Sequence, residues 1–174
     1  MYYKKTIFRK KLYGNIVTGA TSIIALGGGS SMDVAKATGV LATYGGKITD
    51  YEGLYKVPGP IVPIIAIPTT AGTGSEVTAS AVVTDEERNY KMSVISYEML
   101  PKYAVLDPQL IMTAPASIAA SCGVDALIHA LEAYVSNFAS PFTDAMAEKA
   151  MELIGAKYSP LCKQTDRMKK QHVQ

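Results

Sequence analysis

The stretch that decides the fold is Ser22-Ile-Ile-Ala-Leu-Gly-Gly-Gly-Ser-Ser-Met-Asp33, in which a short apolar run meets three consecutive glycines. The run up to Leu26 has the length and composition of a strand that is buried on both faces. The glycines predict a tight turn, and Asp33 is expected to open a helix. The inward positions of that helix would be Val34, Ala37, Val40 and Leu41. Strand, turn and helix in this order are typical of an α/β fold.

Further strands are predicted along the chain. A second buried strand is expected from Val62 to Ile67, between two prolines. Ala79–Thr84 and Lys91–Ser96 flank a polar turn and predict a β-hairpin, and Tyr103–Leu106 predicts a fourth strand. Residues 43–60 are rich in glycine and proline, and they predict a loop with at most one helical turn.

The last third of the chain has a helical pattern. One short helix is predicted from Ala116 to Ser121, with a break near Gly123, and a second from Val124 to Val135. Ser140 is expected to cap a third helix, with Gly155 just past its end. The change from strands and helices to helices alone predicts two domains, with a border near residue 113.

Composition and charge limit the possible partners. A hydrophobic content of 48% with 18% charged residues fits a folded core. No uninterrupted apolar run reaches the roughly 18 residues of a membrane span, so no membrane partner is expected. Residues 1–32 and 157–174 are basic, whereas the centre is acidic and would repel phosphate backbones, so no nucleic acid is expected either. The 2 cysteines form no disulfide framework, which predicts a cytoplasmic location.

The glycine-rich turn could bind an anion. Glycine lets the backbone approach a ligand closely, and the N-terminus of the following helix offers free N–H groups. The stretch lacks the usual GxGxxG spacing, because Met32 stands where the third glycine would be. By itself this pattern fits either a pyrophosphate site or a tight structural turn.

A second polar loop follows the second predicted strand. It contains Thr69, Thr70 and Thr73 and would lie at the carboxyl edge of a sheet, where ligands of open α/β folds bind. The loop could line a cofactor groove or could simply cap the next segment. Lys91, after the hairpin turn, could supply a cation to a ribose or phosphate, or could be a solvated surface group.

Asp125 and His129 are spaced for metal binding. Residues at i and i+4 share one face of a helix, and a carboxylate with an imidazole at that spacing can bind a divalent transition metal. Glu132 could orient one of these two ligands without binding the metal itself. The alternative is that Asp125 complements a helix N-terminus and His129 is hydrogen-bonded in the interior. A catalytic metal site needs about three protein ligands, and the other histidine, His172, has no helical partner.

Taken in order, these motifs resemble the iron-containing (group III) alcohol dehydrogenase family. The matching stretches are Gly27-Gly-Gly-Ser-x-x-Asp33 with Lys36, Ile67-Pro-Thr-Thr-Ala-Gly-Thr-Gly-Ser-Glu-Val-Thr78, Asp107-Pro-x-Leu110 and Gly123-Val-Asp-Ala-Leu-x-His-Ala-x-Glu-Ala-Tyr-Val-Ser136. The resemblance implies a partial Rossmann-like nucleotide-binding domain over residues 1–112, followed by the start of an all-helical metal-binding domain over 113–174. Residues 1–21 and 157–174 do not match the family.

The resemblance also implies an activity and a site. The activity is hydride transfer between a primary alcohol or aldehyde and NAD or NADP, assisted by Fe²⁺ or Zn²⁺. A homo-oligomer is also expected, because a chain with both domains shortened would expose apolar surface. The implied site residues are Gly28, Gly29 and Ser30 for the pyrophosphate, Asp33 for fixing the turn, Thr69, Thr70 and Thr73 for the nicotinamide half, Lys91 for the ribose region, and Asp125 and His129 as two of four metal ligands.

The chain is much shorter than members of that family. They have a strand–helix–strand unit before the glycine turn and two further histidine ligands in the helical domain. The sequence is therefore expected to be a truncated member that is inactive by itself. The alternatives are a non-catalytic remnant or assembly module with residual nucleotide binding, and a split enzyme completed by another chain.

Overall fold

The computed structural model describes residues 21–112 and 114–171, and the side chains up to residue 156. The described chain forms two compact units. The first contains the stretch up to Pro68 together with Ser75–Leu106, and the second contains Thr69–Gly74 together with the chain from Asp107 onward. The strands are β1 (Ile23–Gly27), β2 (Gly53–Leu54), β3 (Ile64–Pro68), β4 (Ser80–Asp85), β5 (Tyr90–Ile95) and β6 (Tyr103–Ala104). The helices are α1 (Gly29–Tyr44), α2 (Pro108–Met112), α3 (Ala116–Tyr134) and α4 (Pro141–Gln171).

The first unit contains a parallel sheet in the order β1-β3-β6. The pairing of β1 with β3 runs from Ile23 opposite Ile64 to Gly27 opposite Pro68. Alternate residues of β3 are buried, as expected for a strand in the middle of a sheet. The predicted strands that lead into the glycine turn and into the threonine loop (Thr69–Gly74) are confirmed, and the predicted fourth strand is shorter than expected. The expectation that β1 is buried on both faces was wrong, because β1 lies at the edge of the described sheet and its Ile24 and Leu26 are exposed.

The first unit also contains a second sheet in the order β2-β5-β4. The antiparallel pair of β4 and β5 confirms the predicted hairpin. Strand β2 was not predicted, because it is only 2 residues long, and the φ angles of its first residue, Gly53 (103°), and of the residue after it, Tyr55 (55°), are positive. The one helical turn expected in this region is the 3-10 helix Ile48–Tyr51.

Helix α1 packs against both sheets. Met32 and Ala35 pack with the parallel sheet, and Val40 belongs to the core of the second sheet. The prediction that Asp33 opens this helix was wrong, since the helix begins at Gly29. Of the predicted inward residues, Ala37 and Val40 are buried, whereas Val34 and Leu41 are only partly buried.

The second unit is helical apart from the threonine loop, over its described residues. The predicted helix break near Gly123 was wrong, because α3 is continuous through it. The predicted helix end at Gly155 was also wrong, because α4 runs to Gln171. A glycine inside a helix costs only about 1 kcal/mol relative to alanine, which neighbouring alanines and helix packing easily offset. The predicted cap is confirmed, since Ser140 Oγ accepts from the N–H of Thr143 at 3.2 Å.

Helix α3 is unusually apolar on its exposed sides. Over the described residues it is the one helix that is long and apolar enough to cross a membrane, with a mean hydropathy of 1.2. A single helix of this kind is weak evidence for a membrane span. It also carries Asp125, His129 and Glu132, which are costly inside a bilayer. The expectation of no membrane partner therefore stays a prediction.

Candidate functional site

The glycine turn of the first unit exposes backbone N–H groups. Gly28 is the cap of α1, and its carbonyl accepts from the N–H of Ser31 at 2.9 Å and of Met32 at 3.3 Å. The N–H groups of Gly29 and Ser30 come before these bonds and have no partner inside the helix. Together with the helix dipole they suit an anion.

Gly27 gives this turn its shape, a role that the sequence did not single out. Its φ is +146°, a backbone conformation that side-chain-bearing residues rarely adopt. A Cβ at this position would lie 2.5 Å from Ser31 Oγ. The chain can therefore turn from β1 into α1 within one residue only if residue 27 is glycine.

The threonine loop and the glycine turn each start where a strand of the parallel sheet ends. Gly27, from which the turn starts, is the register partner of Pro68, from which the loop starts. Both strands point the same way, so both connections begin at the carboxyl edge of the sheet. In open α/β folds, this is the edge at which ligands bind. Thr69 and Thr70 are partly buried and Thr73 is exposed.

Asp33 and Lys36 bind Ser75, the first residue after the threonine loop. Ser75 Oγ donates to Asp33 Oδ1 at 2.8 Å and accepts from Lys36 Nζ at 3.0 Å. Lys36 Nζ also donates to Thr78 Oγ1 at 3.1 Å and to the carbonyl of Ser80 at 2.8 Å. Asp33 thus connects α1 to the 3-10 helix Ser75–Val77. This contact is additional to the role that the family resemblance implies for Asp33, which is to fix the glycine turn.

The ammonium group of Lys36 is enclosed by protein. Its side chain is 0% exposed, which is rare for lysine. Burial lowers the pKa of Lys36 from 10.5 to about 8, and the carboxylates of Asp33 and Glu76 oppose this decrease. Three acceptors match the three N–H donors of an ammonium group, which explains how the charge is tolerated.

This pKa predicts how stability depends on pH. Between about pH 8 and 10.5 the unfolded chain binds more protons at Lys36 than the folded chain does. The free energy of unfolding that Lys36 contributes therefore rises with pH across this window. We expect the stability of the natural chain, relative to Lys36→Met, to increase from pH 8 to pH 10. Urea titrations at several pH values measure the difference, and a constant or falling difference would contradict the prediction.

In the second unit, the threonine loop lies against helix α3. A Cβ added to Gly72 would lie 2.7 Å from the carbonyl oxygen of Cys122, 2.8 Å from its Cβ and 2.9 Å from its Cα. Only a glycine allows the loop to approach the helix backbone this closely. Asp125 follows Cys122 by 3 residues on the same helix, so the loop is in contact with the helix that carries the candidate metal ligands.

Asp125 and His129 form a partly exposed pair on α3. Asp125 Oδ2 and His129 Nε2 are 3.7 Å apart, and the two side chains are 46% and 57% exposed. Both groups can therefore reach a cation from solvent without unfolding the helix. Among the described residues, no group of three or more His, Cys, Asp or Glu side chains is arranged to hold a metal ion. The pair fits part of a metal site.

Lys91 lies in strand β5, opposite Thr84, with an exposed side chain. Gly28, Gly29, Ser30 and Asp33 cluster in the first unit at the start of α1. The three threonines belong to the second unit with Asp125 and His129. The roles of all these residues stay predictions.

The sequence did not indicate a role for Lys36 or Gly72 in the site, because their contacts join residues that are far apart in sequence.

Comparison with known proteins identifies the class. Residues 16–108 match the family model for iron-containing alcohol dehydrogenase, and residues 119–172 match the model for the C-terminal part of the Fe-containing alcohol dehydrogenase family. The expectation that residues 1–21 and 157–174 lie outside the family was therefore wrong for residues 16–21 and 157–172. The NAD-dependent methanol dehydrogenase of Bacillus methanolicus is 51% identical over 133 residues, which cover 76% of this chain and 35% of the relative.

Solved structures agree with this match. The alcohol dehydrogenase from Oenococcus oeni superposes with a TM-score of 0.77 at 39% identity, over 87% of this chain and 38% of its own. The sulfoacetaldehyde reductase from Bifidobacterium kashiwanohense, solved in complex with NAD⁺, gives a TM-score of 0.70 at 38% identity, over 78% of this chain and 36% of its own. The predicted α/β, Rossmann-like fold is confirmed by these neighbours.

The fold and the ordered motifs match those of one class of dehydrogenases. The chain belongs to the iron-containing alcohol dehydrogenase family. It spans about a third of the length of the curated relatives that it matches.

Proposed function

We propose that this chain carries the nucleotide turn and part of the metal site of a metal- and NAD(P)-dependent alcohol dehydrogenase. The enzyme would transfer hydride between a primary alcohol or aldehyde and nicotinamide. The observation that carries the proposal is the pairing of Gly27 with Pro68, which starts the glycine turn and the threonine loop at one edge of the sheet. The i, i+4 pair of Asp125 and His129 supports the metal.

The glycine turn would hold the pyrophosphate. The unpaired N–H groups of Gly29 and Ser30 would donate to phosphate oxygens, and the absence of a side chain at Gly28 would let the phosphate approach. The hydroxyl groups of the threonine loop would donate to the nicotinamide half. Lys91 would serve the ribose region, as the family resemblance implies.

Asp125 and His129 would hold the divalent ion, Fe²⁺ or Zn²⁺, through a carboxylate oxygen and an imidazole nitrogen. When bound, such an ion supplies Lewis acidity toward an alcohol oxygen, and nicotinamide accepts the hydride. The contact of Gly72 with Cys122 would keep the threonine loop at a fixed distance from the helix that carries this pair.

The chain's partners and location follow as proposals. The partner would be a small alcohol or aldehyde, with no nucleic acid or membrane, in a cytoplasmic homo-oligomer. Exposed apolar side chains on α3 favour self-association, and they also favour the alternative of a non-catalytic assembly module. These side chains are Ile118, Val124, Leu127, Ile128 and Leu131.

Metal binding by the 174-residue polypeptide tests the proposal. We expect Zn²⁺ to bind weakly, and His129→Ala to weaken it about tenfold or more, because losing one of two ligands removes more than about 1.4 kcal/mol. Asp125→Ala should have a similar effect. Isothermal calorimetry with Zn²⁺, and separately with NADH, measures both affinities.

Glu148→Gln is the matched control, since Glu148 is an exposed carboxylate on α4 outside the pair. It should bind Zn²⁺ like the natural chain. Equal Zn²⁺ affinity of His129→Ala and the natural chain would contradict the proposed metal site. If neither Zn²⁺ nor NADH binds, the assembly module becomes the better explanation. We expect no alcohol-dependent NADH formation, because two ligands do not make a tight catalytic site.

A further inference from the structure

Asp125 and His129 share a face of α3 with exposed apolar side chains. Ile118 lies two turns before Asp125, and Ile128 lies one turn after it, so these side chains leave the helix on one side. Val135, which follows the last turn, extends the same stripe and is also exposed. The stripe has the spacing of a seam between two paired helices, with the two candidate metal ligands near its middle.

The same face is negatively charged. Glu132 lies two turns after Asp125, and α3 contains no lysine or arginine. Two such faces repel each other when nothing lies between them. A divalent cation between them would replace this repulsion with attraction to both, so the charge of the face favours a partner only when a cation is bound.

Each chain carries half of a closed metal site. Zn²⁺ in closed protein sites has four ligands, and imidazole and carboxylate groups are among those that it takes. Asp125 and His129 provide two, and over the described residues no third His, Cys, Asp or Glu side chain joins them. A twofold axis duplicates every group beside it, so two copies of the pair make four ligands.

An antiparallel arrangement of two α3 helices brings these groups together. When the twofold axis crosses the helix midway between Asp125 and His129, the carboxylate of each copy lies opposite the imidazole of the other. The same axis places Ile118 of each copy opposite Val135 of the other, because the two residues are almost equally far from the midpoint. One arrangement therefore joins the four ligands and covers the apolar ends of the stripe.

We propose that two copies of this chain pair through α3 and share one divalent ion, with Asp125 and His129 of each copy as its ligands. This inference rests on the proposed function, which assigns these two side chains to the metal. An ion with four protein ligands has no open position for an alcohol, so the shared ion would hold an assembly together and would not act on a substrate.

The size of the face predicts that pairing depends on the ion. A helix of 19 residues is about 28 Å long, and its face is about 10 Å wide. Two such faces cover much less than the roughly 1,200–2,000 Å² that stable protein interfaces bury. The apolar side chains would therefore orient the two helices, and the bound ion would supply most of the affinity.

Sedimentation velocity of the 174-residue chain tests the pairing. We expect a monomer in the presence of a chelator and a dimer after addition of zinc chloride, and excess chelator should reverse the change. Calorimetry should give one ion for two chains. The apparent Kd for Zn²⁺ should fall as the concentration of the chain rises, because binding and association are linked.

Either ligand variant removes half of the shared site, because each substitution occurs in both copies. We expect His129→Ala and Asp125→Ala to weaken the Zn²⁺-dependent dimer at least about tenfold. Both side chains are about half exposed, so neither change should disturb the helix. His172→Ala is the matched control, since His172 is the other histidine of the chain, and it should form the dimer like the natural chain.

Ile118→Ser and Leu131→Ser compare two faces of α3. The two side chains are 42% and 45% exposed, so their removal changes a similar amount of surface. Leu131 lies on another side of the helix, six residues after Asp125. We expect Ile118→Ser to weaken the Zn²⁺-dependent dimer about fivefold or more through lost apolar burial, and Leu131→Ser to change it less than about twofold.

The outcomes separate this inference from the proposed function. One Zn²⁺ per chain without a change in mass would overturn the shared ion and leave the proposed metal pair intact. A dimer of equal stability with Zn²⁺ and with chelator, or one weakened by Leu131→Ser and not by Ile118→Ser, would also overturn it. If the chain binds no Zn²⁺, the metal pair of the proposed function fails, and the shared ion fails with it.

Discussion

Replacing Gly72 with alanine is expected to destabilise the second unit by about 1–3 kcal/mol, the usual cost of overpacking a closed contact. The new methyl group would lie within 2.9 Å of three atoms of Cys122, and two of these belong to the helix backbone. A helix backbone cannot yield without breaking its own hydrogen bonds, so the threonine loop must move instead. Because the chain contains no tryptophan, urea unfolding followed by circular dichroism is the suitable measurement.

Gly155→Ala provides the matched control. Gly155 lies inside α4 with nothing within 4 Å of an added Cβ, so alanine should stabilise the chain by about 0.5–1 kcal/mol. Adding Cys122→Gly to Gly72→Ala should rescue only part of the loss, because it removes the Cβ contact and leaves the carbonyl. A Gly72→Ala chain as stable as the natural one would show that the loop does not touch α3.

The second large effect is expected for Gly27→Ala. Alanine would have to adopt a φ near +146° and would also place its Cβ 2.5 Å from Ser31 Oγ. Backbone strain of this kind costs about 1–3 kcal/mol, and the steric conflict adds to it. We expect a clear loss of stability in urea titrations and at least about a tenfold loss of NADH affinity, equivalent to about 1.4 kcal/mol.

Gly45→Ala separates the two contributions in Gly27→Ala. Gly45 has a φ of +71°, but an added Cβ would meet nothing within 4 Å, so only backbone strain should be felt. NADH affinity should be unaffected there. If Gly27→Ala costs no more than Gly45→Ala, the steric argument for the glycine turn is wrong.

Local patterns predicted most of the strands and the candidate loops. The apolar runs before Gly27 and Pro68 are short and bounded by turn residues, so strand β1 and strand β3 could be placed within about 2 residues. The hairpin of β4 and β5 was predictable because its polar turn separates two alternating runs. The family could also be identified, since its motifs are local and occur in a fixed order.

Contacts across long sequence separations could not be predicted. The bond of Lys36 to Ser75 joins residues 39 positions apart, and a lysine in a helix is usually exposed. The contact of Gly72 with Cys122 depends on how α3 packs against the loop, which no local pattern encodes. The wrong predictions of a helix break at Gly123 and a helix end at Gly155 have the opposite cause. The local rule that glycine ends a helix was given more weight than the helix-forming residues on both sides of each glycine.

The division of the chain also limits how its parts could be exchanged. The polypeptide passes between the two units three times, after Pro68, Gly74 and Leu106. A single crossover or a single proteolytic cut therefore cannot separate them cleanly. A chimera that takes its helices from a relative would need that relative's residues 69–74 as well, so that the glycine of the inserted loop meets the helix it evolved beside.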